Sequence, residues 1–185
     1  MEKEITLNKT TKDKIIDYIT YFFIYAFLGW CMETIYAIFI HGFFVKRGFL
    51  YGPICPIYGF GAIILIMITK NMYGKPIKKF LIATIAFTAF EYFVSLILET
   101  LFGLRWWDYS NDFLNIQGRV SLLYSVAWGV IGVILLEKLH PLIENIIQKF
   151  SVKVNSKYSI QNIIVIVFLV LILVDTVFST LKYLN

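Results

Sequence analysis

The sequence predicts an all-α, polytopic membrane protein: a bundle of five transmembrane helices in which the second helix has a broken, Gly/Pro-rich start. Of the 185 residues, 59% are hydrophobic and 18% aromatic, and the mean hydropathy is +0.75. A soluble domain of this length cannot hide so much apolar surface. The apolar residues form a single membrane domain whose predicted helices are 18–40, 52–69, 80–103, 120–136 and 163–181.

The first helix, 18–40, is long enough to cross a hydrocarbon core of roughly 30 Å. It is too long for a signal-peptide core and lacks a small-residue cleavage site, so we expect it to stay uncleaved. The polar residues before it, 1–17, are predicted to form a cytoplasmic N-terminal segment.

The second helix begins in an unusual stretch, 45–61, with the sequence VKRGFLYGPICPIYGFG. Its glycines permit tight turns, and Pro53 and Pro56 exclude a regular helix through its middle. Irregular backbone survives at membrane depth only where protein or a water-filled cavity satisfies its polar groups. We therefore expect this stretch to lie inside the protein and to contribute to a site.

The third helix, 80–103, carries Glu91, Ser95 and Glu99 at a spacing of four residues, which places them along one face. A carboxylate inside a membrane is costly, so it must face protein, water or a cation. The same holds for Glu33 in the first helix, for which a structural hydrogen bond between helices is the alternative to a pocket role.

The fourth helix, 120–136, is predicted to stop before Pro141. Apolar and polar residues of 141–150 then fall on opposite sides of a helix, which indicates an amphipathic segment lying on the membrane surface. The fifth helix, 163–181, completes the bundle. The N-terminus is expected in the cytoplasm and the C-terminus outside the cell membrane, because this places twelve of the 17 lysines and arginines inside.

A second unusual stretch, 104–119, has the sequence LRWWDYSNDFLNIQGR. Its aromatic residues are typical of interfacial anchors, but the arginines crowded around them suit recognition of carboxylate or phosphate. In the predicted orientation both unusual stretches and the intramembrane acids lie in the outer half of the bundle. This predicts one outward-facing pocket, lined by pairs of acids and arginines. The candidate pocket residues are Glu33, Arg47, Tyr51, Glu91, Glu99, Arg105, Trp107, Asp108, Asn115 and Arg119.

Other site classes have no support in the sequence. The two cysteines form no CxxC motif and no Cys/His pair at zinc spacing, so we expect neither a metal site nor a disulfide framework. The lysines lie between apolar segments, where membrane orientation rather than nucleic-acid binding explains them. No Gly-rich phosphate loop is present, so the chain cannot hydrolyse ATP, and no cofactor or catalytic residue is indicated.

Several motifs together resemble a known family. They are Phe27-Leu28-Gly29-Trp30 with Glu33, Arg47-Gly48-Phe49-Leu50 with Gly52-Pro53, Cys55-Pro56-Ile57-Tyr58-Gly59, Glu91, Trp107-Asp108-Tyr109, Asn115 and Gly118-Arg119. Over roughly 20–140 the chain resembles the type IV ABC-transporter permeases, also called the CmpB family. The resemblance implies a membrane permease, and ATP-driven transport would need a separate ATPase subunit. It implies no residue roles.

Two functions remain open. In the first, the protein is a permease whose outer pocket binds a small polar, anionic solute through Arg47, Arg105 and Arg119. In the second, it is a membrane-embedded enzyme acting on an outer-leaflet lipid or a polyprenyl-phosphate head group, with a glutamate as acid or base. The sequence offers no clear nucleophile, which favours binding and transport. The expected partners are the lipid bilayer and the ligand. The sequence leaves open whether the protein forms an oligomer.

Overall fold

The computed structural model describes residues 10–150 and 160–184, and every regular element in these residues is helical. One isolated antiparallel β-bridge pairs Ile116 with Val120 in the loop that precedes Leu122. The helices are α1 (Thr11–His41), α2 (Pro56–Thr69), α3 (Pro76–Phe102), α4 (Leu122–Ile134), a π-helical turn (Leu135–Leu139), α5 (His140–Phe150) and α6 (Ile160–Leu184).

The described helices agree with the predicted class and number. Four spans are long and apolar enough to cross a membrane, and α2 is a shorter apolar helix. The four spans are Thr11–His41, Pro76–Phe102, Leu122–Gln148 and Gln161–Leu184. The chain is therefore an all-helical, multi-pass membrane protein with five apolar helices.

The helix starts differ from those predicted by hydropathy. Helix α1 begins at Thr11 because Thr10 and Asp13 cap it reciprocally. The Asp13 backbone N–H donates to the Thr10 hydroxyl over 3.2 Å, and the Thr10 N–H donates to the Asp13 carboxylate over 3.0 Å. Helices α2 and α3 begin at Pro56 and Pro76, because proline is favoured in the first turn. The N-terminal residues 1–9 lie outside the described residues.

Pro141 does not end the fourth helix. The chain passes from α4 into α5 through the π-helical turn, in which the His140 N–H bonds to the Leu135 carbonyl five residues back. Proline lacks an N–H and clashes with the preceding turn, and a wider turn next to it accommodates that clash. Ile143 and Ile147 are then buried in a core cluster with Tyr21, Tyr25, Ala62, Ile66 and Leu135. The segment 141–150 thus packs against α1 and α2 instead of lying alone on a surface.

Glycines allow the closest helix contacts. Helix α1 packs on α2, and α3 packs on α4. A Cβ atom on Gly29 of α1 would overlap the ring of Tyr58 in α2, and one on Gly129 of α4 would overlap the Thr84 hydroxyl in α3. The backbones approach this closely only because these side chains are absent.

Candidate functional site: the loop end

One end of the bundle carries the two irregular segments 42–55 and 103–121. They meet the C-terminal end of α6 through aromatic rings. The Phe49 ring lies 6.0 Å from that of Trp106 and 5.1 Å from that of Tyr183, measured between centroids. We call this end of the bundle the loop end. Every candidate residue that the sequence predicted either belongs to one of these two segments or contacts one of them.

Asp175 of α6 holds the segment 42–55 in place. Its two carboxylate oxygens accept the backbone N–H groups of Tyr51 and Gly52 over 2.8 and 2.7 Å. The hydroxyl of Ser179, which has no exposed surface, donates to the same carboxylate over 2.9 Å. A carboxylate that accepts several N–H bonds satisfies backbone groups that no helix pairs. Asp175 therefore holds the backbone of the segment 42–55 in its irregular conformation.

The first charged group is centred on Glu33 of α1. Its carboxylate accepts from Arg47 Nε over 3.3 Å and from the Tyr58 hydroxyl over 2.5 Å. The group joins α1, the segment 42–55 and α2. Glu33 and Arg47 were predicted partners. Tyr58 was not a candidate, although it stands in the Cys55-Pro56-Ile57-Tyr58-Gly59 motif of the same stretch.

The second charged group is centred on Glu99, near the end of α3. Its two oxygens lie 2.9 Å from Arg105 Nε and 2.5 Å from Arg119 Nη2. Arg119 Nη1 also donates to the Ser95 hydroxyl over 3.2 Å. The Arg105 side chain, 3.8 Å from Asp108, is partly exposed, whereas only 7% of Arg119 is exposed. One carboxylate thus forms ion pairs with two arginines from the segment 103–121.

Two atoms of this second group are buried without a hydrogen-bond partner among the described residues, namely Arg119 Nε and Glu99 Oε2. The contact of Arg119 Nη2 with Glu99 Oε2 is an ion pair, but its geometry is not that of a hydrogen bond. Buried N–H donors are nearly always satisfied in folded proteins. Arg119 Nε is therefore a buried donor without a partner among the described residues, whereas Glu99 Oε2 is engaged in an ion pair.

The third group is centred on Glu91, in the middle of α3. Its oxygens accept from the Tyr109 hydroxyl over 3.1 Å and from Trp128 Nε1 over 3.2 Å. Only 7% of Glu91 is exposed. The prediction that this acid pairs with an arginine is wrong within the described residues. Its partners are neutral donors, and the two arginines of the segment 103–121 pair with Glu99, about 12 Å along α3 from Glu91.

Aromatic rings connect the Glu33 group to the Glu91 group. The Tyr58 ring, whose hydroxyl bonds to Glu33, makes an edge contact with Trp128 at a centroid distance of 5.8 Å. Trp128 donates to Glu91, and Tyr109 on the other side of Glu91 stacks on Tyr124 at 4.4 Å. The Glu33 and Glu91 groups therefore form one polar layer across α1, α2, α3 and α4, and the Glu99 group adjoins it at Ser95, one turn along α3 from Glu91.

The other predicted residues shape the segment 103–121. Trp107 Nε1 donates to the Arg119 carbonyl over 2.9 Å. Asp108 accepts from the Ser110 N–H over 2.9 Å and from its hydroxyl, which holds the pKa of Asp108 below its usual value. Asn115 donates to the carbonyls of Ser110 and Asp112 and accepts from the Gly118 N–H over 3.0 Å. Tyr51 is 53% exposed.

Two surface cavities lie away from the layer. They measure about 410 and 450 Å³ and lie on the α3 start and in an apolar groove between α1, α2 and α6, and no residue of the three charged groups lines either. No cluster of three or more His, Cys, Asp or Glu side chains suited to a metal ion occurs in the described residues. What the layer offers chemically is a set of paired acids and arginines with neutral donors between them.

A family model described as "Putative ABC-transporter type IV" matches residues 20–180. The chain belongs to the CmpB family. The match extends the resemblance past residue 140 and includes α6, whose Asp175 fixes the segment 42–55. Membership makes this CmpB-family protein a membrane protein of the ABC-transporter class. Neither the curated proteins nor the solved structures gave a match to the chain.

Proposed function

We propose that this CmpB-family protein is a permease that binds and transports a small polar, anionic solute at the loop end. The observation that carries the proposal is the buried Nε–H of Arg119, which has no hydrogen-bond partner among the described residues. Leaving a buried donor unpaired costs about 1–3 kcal/mol. A solute that carries an acceptor would supply the missing partner.

Arginine is the side chain suited to this task. Its planar guanidinium offers donors in a fixed fork that matches carboxylate and phosphate. Arg119 uses Nη1 on Ser95 and Nη2 on Glu99, which leaves Nε for a further acceptor. Arg105 is partly exposed and touches the same Glu99, so it would meet the solute first on the way in.

Solute access requires a movement of the segment 103–121. The Trp107 indole donates to the Arg119 carbonyl and so ties this segment over the charged group. Breaking this bond and the Arg105–Glu99 pair would expose Arg119 without unfolding a helix. Because the segment is irregular and lies between two helix ends, it can move while the bundle stays intact.

The proposed topology places the loop end outside the cell and the N-terminus in the cytoplasm. Helix α2 has 14 residues and spans about 21 Å, short of a core of roughly 30 Å. We therefore propose that the irregular segment 42–55 completes this crossing as a broken start to the helix, with its backbone satisfied by Asp175. Energy from ATP would come from a separate ATPase subunit.

The catalytic alternative, action on a lipid or polyprenyl-phosphate head group, gains no support from the cysteines. Cys55 is only 3% exposed, so its thiol is not open to a substrate in this conformation. In the part of the chain that the structure describes, no hydrogen bond joins either thiol to a base. We therefore place binding and transport first.

The test compares Arg119→Lys and Arg119→Ala in native mass spectrometry of the purified protein. We expect the unsubstituted protein to retain a small anionic molecule. The Lys variant should lose it while it still folds, because lysine keeps the charge but not the fork. The Ala variant should also melt earlier, since Glu99 loses a partner. Failure of the unsubstituted protein to retain any small molecule, with Lys and Ala variants melting alike, would contradict the proposal.

A further inference from the structure

Two lysines lie over one tyrosine ring at the surface of the loop end. Lys46 Nζ is 4.4 Å and Lys182 Nζ is 5.2 Å from the centroid of the Tyr51 ring. Lys182 Nζ also lies 5.1 Å from the ring of Tyr183. Lys46, Tyr51 and Lys182 are all exposed, so a ligand can approach them. Among the residues that the structure describes, no ion pair or side-chain hydrogen bond joins them to the three charged groups described above.

Neither lysine has a carboxylate partner within the described residues. Because both ammonium groups lie close to the same ring, they are at most roughly 10 Å apart, about one Debye length at physiological salt. The nearby acid, Asp175, already accepts from two backbone N–H groups and from Ser179. The two positive charges repel each other, and an external anion would relieve that repulsion.

The surroundings place this pair at the level of lipid head groups. Lys182 stands in the last turn of α6, an apolar helix long enough to cross a membrane. The rings of Phe49, Trp106 and Tyr183 pack together beside it. Aromatic rings of this kind collect at membrane–water interfaces, where lysine side chains reach the phosphate layer.

We propose that Lys46, Tyr51 and Lys182 form a binding site for a phosphate group at the membrane surface. Two ammonium groups supply compact positive charges, and the tyrosine hydroxyl can donate a hydrogen bond to a phosphate oxygen. The exposed ring keeps the two lysine side chains beside each other through cation–π contacts. The site is separate from the solute site proposed at Arg119, and its test is independent of that function.

The experiment titrates phosphatidylglycerol into the full-length protein in neutral detergent and counts bound lipids by native mass spectrometry. The test variant is Lys46→Gln with Lys182→Gln. The matched control is Lys70→Gln with Lys75→Gln, which removes two exposed lysines beyond the other end of α2. A basic side chain near a lipid surface contributes about five-fold in affinity, so the test pair should weaken the tightest lipid about 25-fold and the control should not.

Two further measurements separate the source of the phosphate and guard against misfolding. If millimolar inorganic phosphate displaces the lipid, the phosphate group itself is recognised; if it does not, the site needs the lipid-borne group. Tyr51→Leu should weaken binding while its backbone N–H still reaches Asp175, and all variants should melt as the parent does. Equal lipid binding by the test variant and the parent, or equal loss in the control, would overturn the proposal.

Discussion

The bonds that hold Glu91 can be measured with a double-mutant cycle. Tyr109→Phe removes only the hydroxyl that donates to Glu91 over 3.1 Å, and the stacked ring on Tyr124 remains. Interhelical hydrogen bonds in membrane proteins average about 0.6 kcal/mol and reach about 1.7. The acceptor here is a carboxyl group that is only 7% exposed, so we expect a loss at the upper end, about 1.5 kcal/mol.

The second arm of the cycle repeats Tyr109→Phe in a Glu91→Leu background. There the hydroxyl is already a buried donor without its acceptor, so removing it should be neutral or stabilising. The assay is reversible unfolding in mixed micelles, which gives the free energy of unfolding of all four proteins. Tyr92→Phe is the control, because its hydroxyl bonds to the exposed Gln117 and should contribute under about 0.5 kcal/mol. Equal losses from Tyr109→Phe in both backgrounds would refute the assignment of Tyr109 as a partner of Glu91.

The remaining predictions concern topology and the segment 42–55. In a background without native cysteines, a membrane-impermeant thiol reagent added to intact cells should label Asn111→Cys and not Lys75→Cys, and the reverse pattern would invert the proposed orientation. Asp175→Ala leaves the Gly52 N–H without an acceptor, whereas the Tyr51 N–H keeps the Ser179 hydroxyl at 3.2 Å, so we expect a cost of about 1–3 kcal/mol if the Gly52 group stays dry. Thermal melts should show Asp175→Asn to be milder, since it keeps one oxygen; a neutral Ala variant would mean that water replaces the carboxylate.

Most of the fold is predictable from apolar length, and the exceptions lie at helix ends. Hydropathy misses the polar first turns of α1, where Thr10 and Asp13 cap a helix that begins well before its apolar part. It also treats Pro141 as a stop. Ile143 and Ile147, on the far side of that proline, can be buried against α1 and α2, and this tertiary packing continues the helix. No local rule contains that information.

The site is predictable where charge itself is the signal. Glu33 with Arg47, and Glu99 with Arg105 and Arg119, follow from the cost of leaving acids unpaired in a membrane. The partners of Glu91 cannot be predicted from charge. Trp128 stands in an uncharged helix, where an indole is typical of apolar packing. Lys46 and Lys182 are 136 positions apart in sequence, and only the folding of α6 against the segment 42–55 brings them to one ring.

The π-helical turn before Pro141 also sets which neighbours the fourth span can meet. An extra residue in one turn rotates everything beyond it by about 100° relative to a regular α-helix. Gly129 and Gly132 therefore face α3, while Ile143 and Ile147 on the same span face the α1–α2 core. Deleting one residue from this turn together with Pro141→Ala would straighten the span and turn one of these two faces towards lipid. The π-helical turn at this proline thus lets one span pack against α3 before the turn and against α1 and α2 after it.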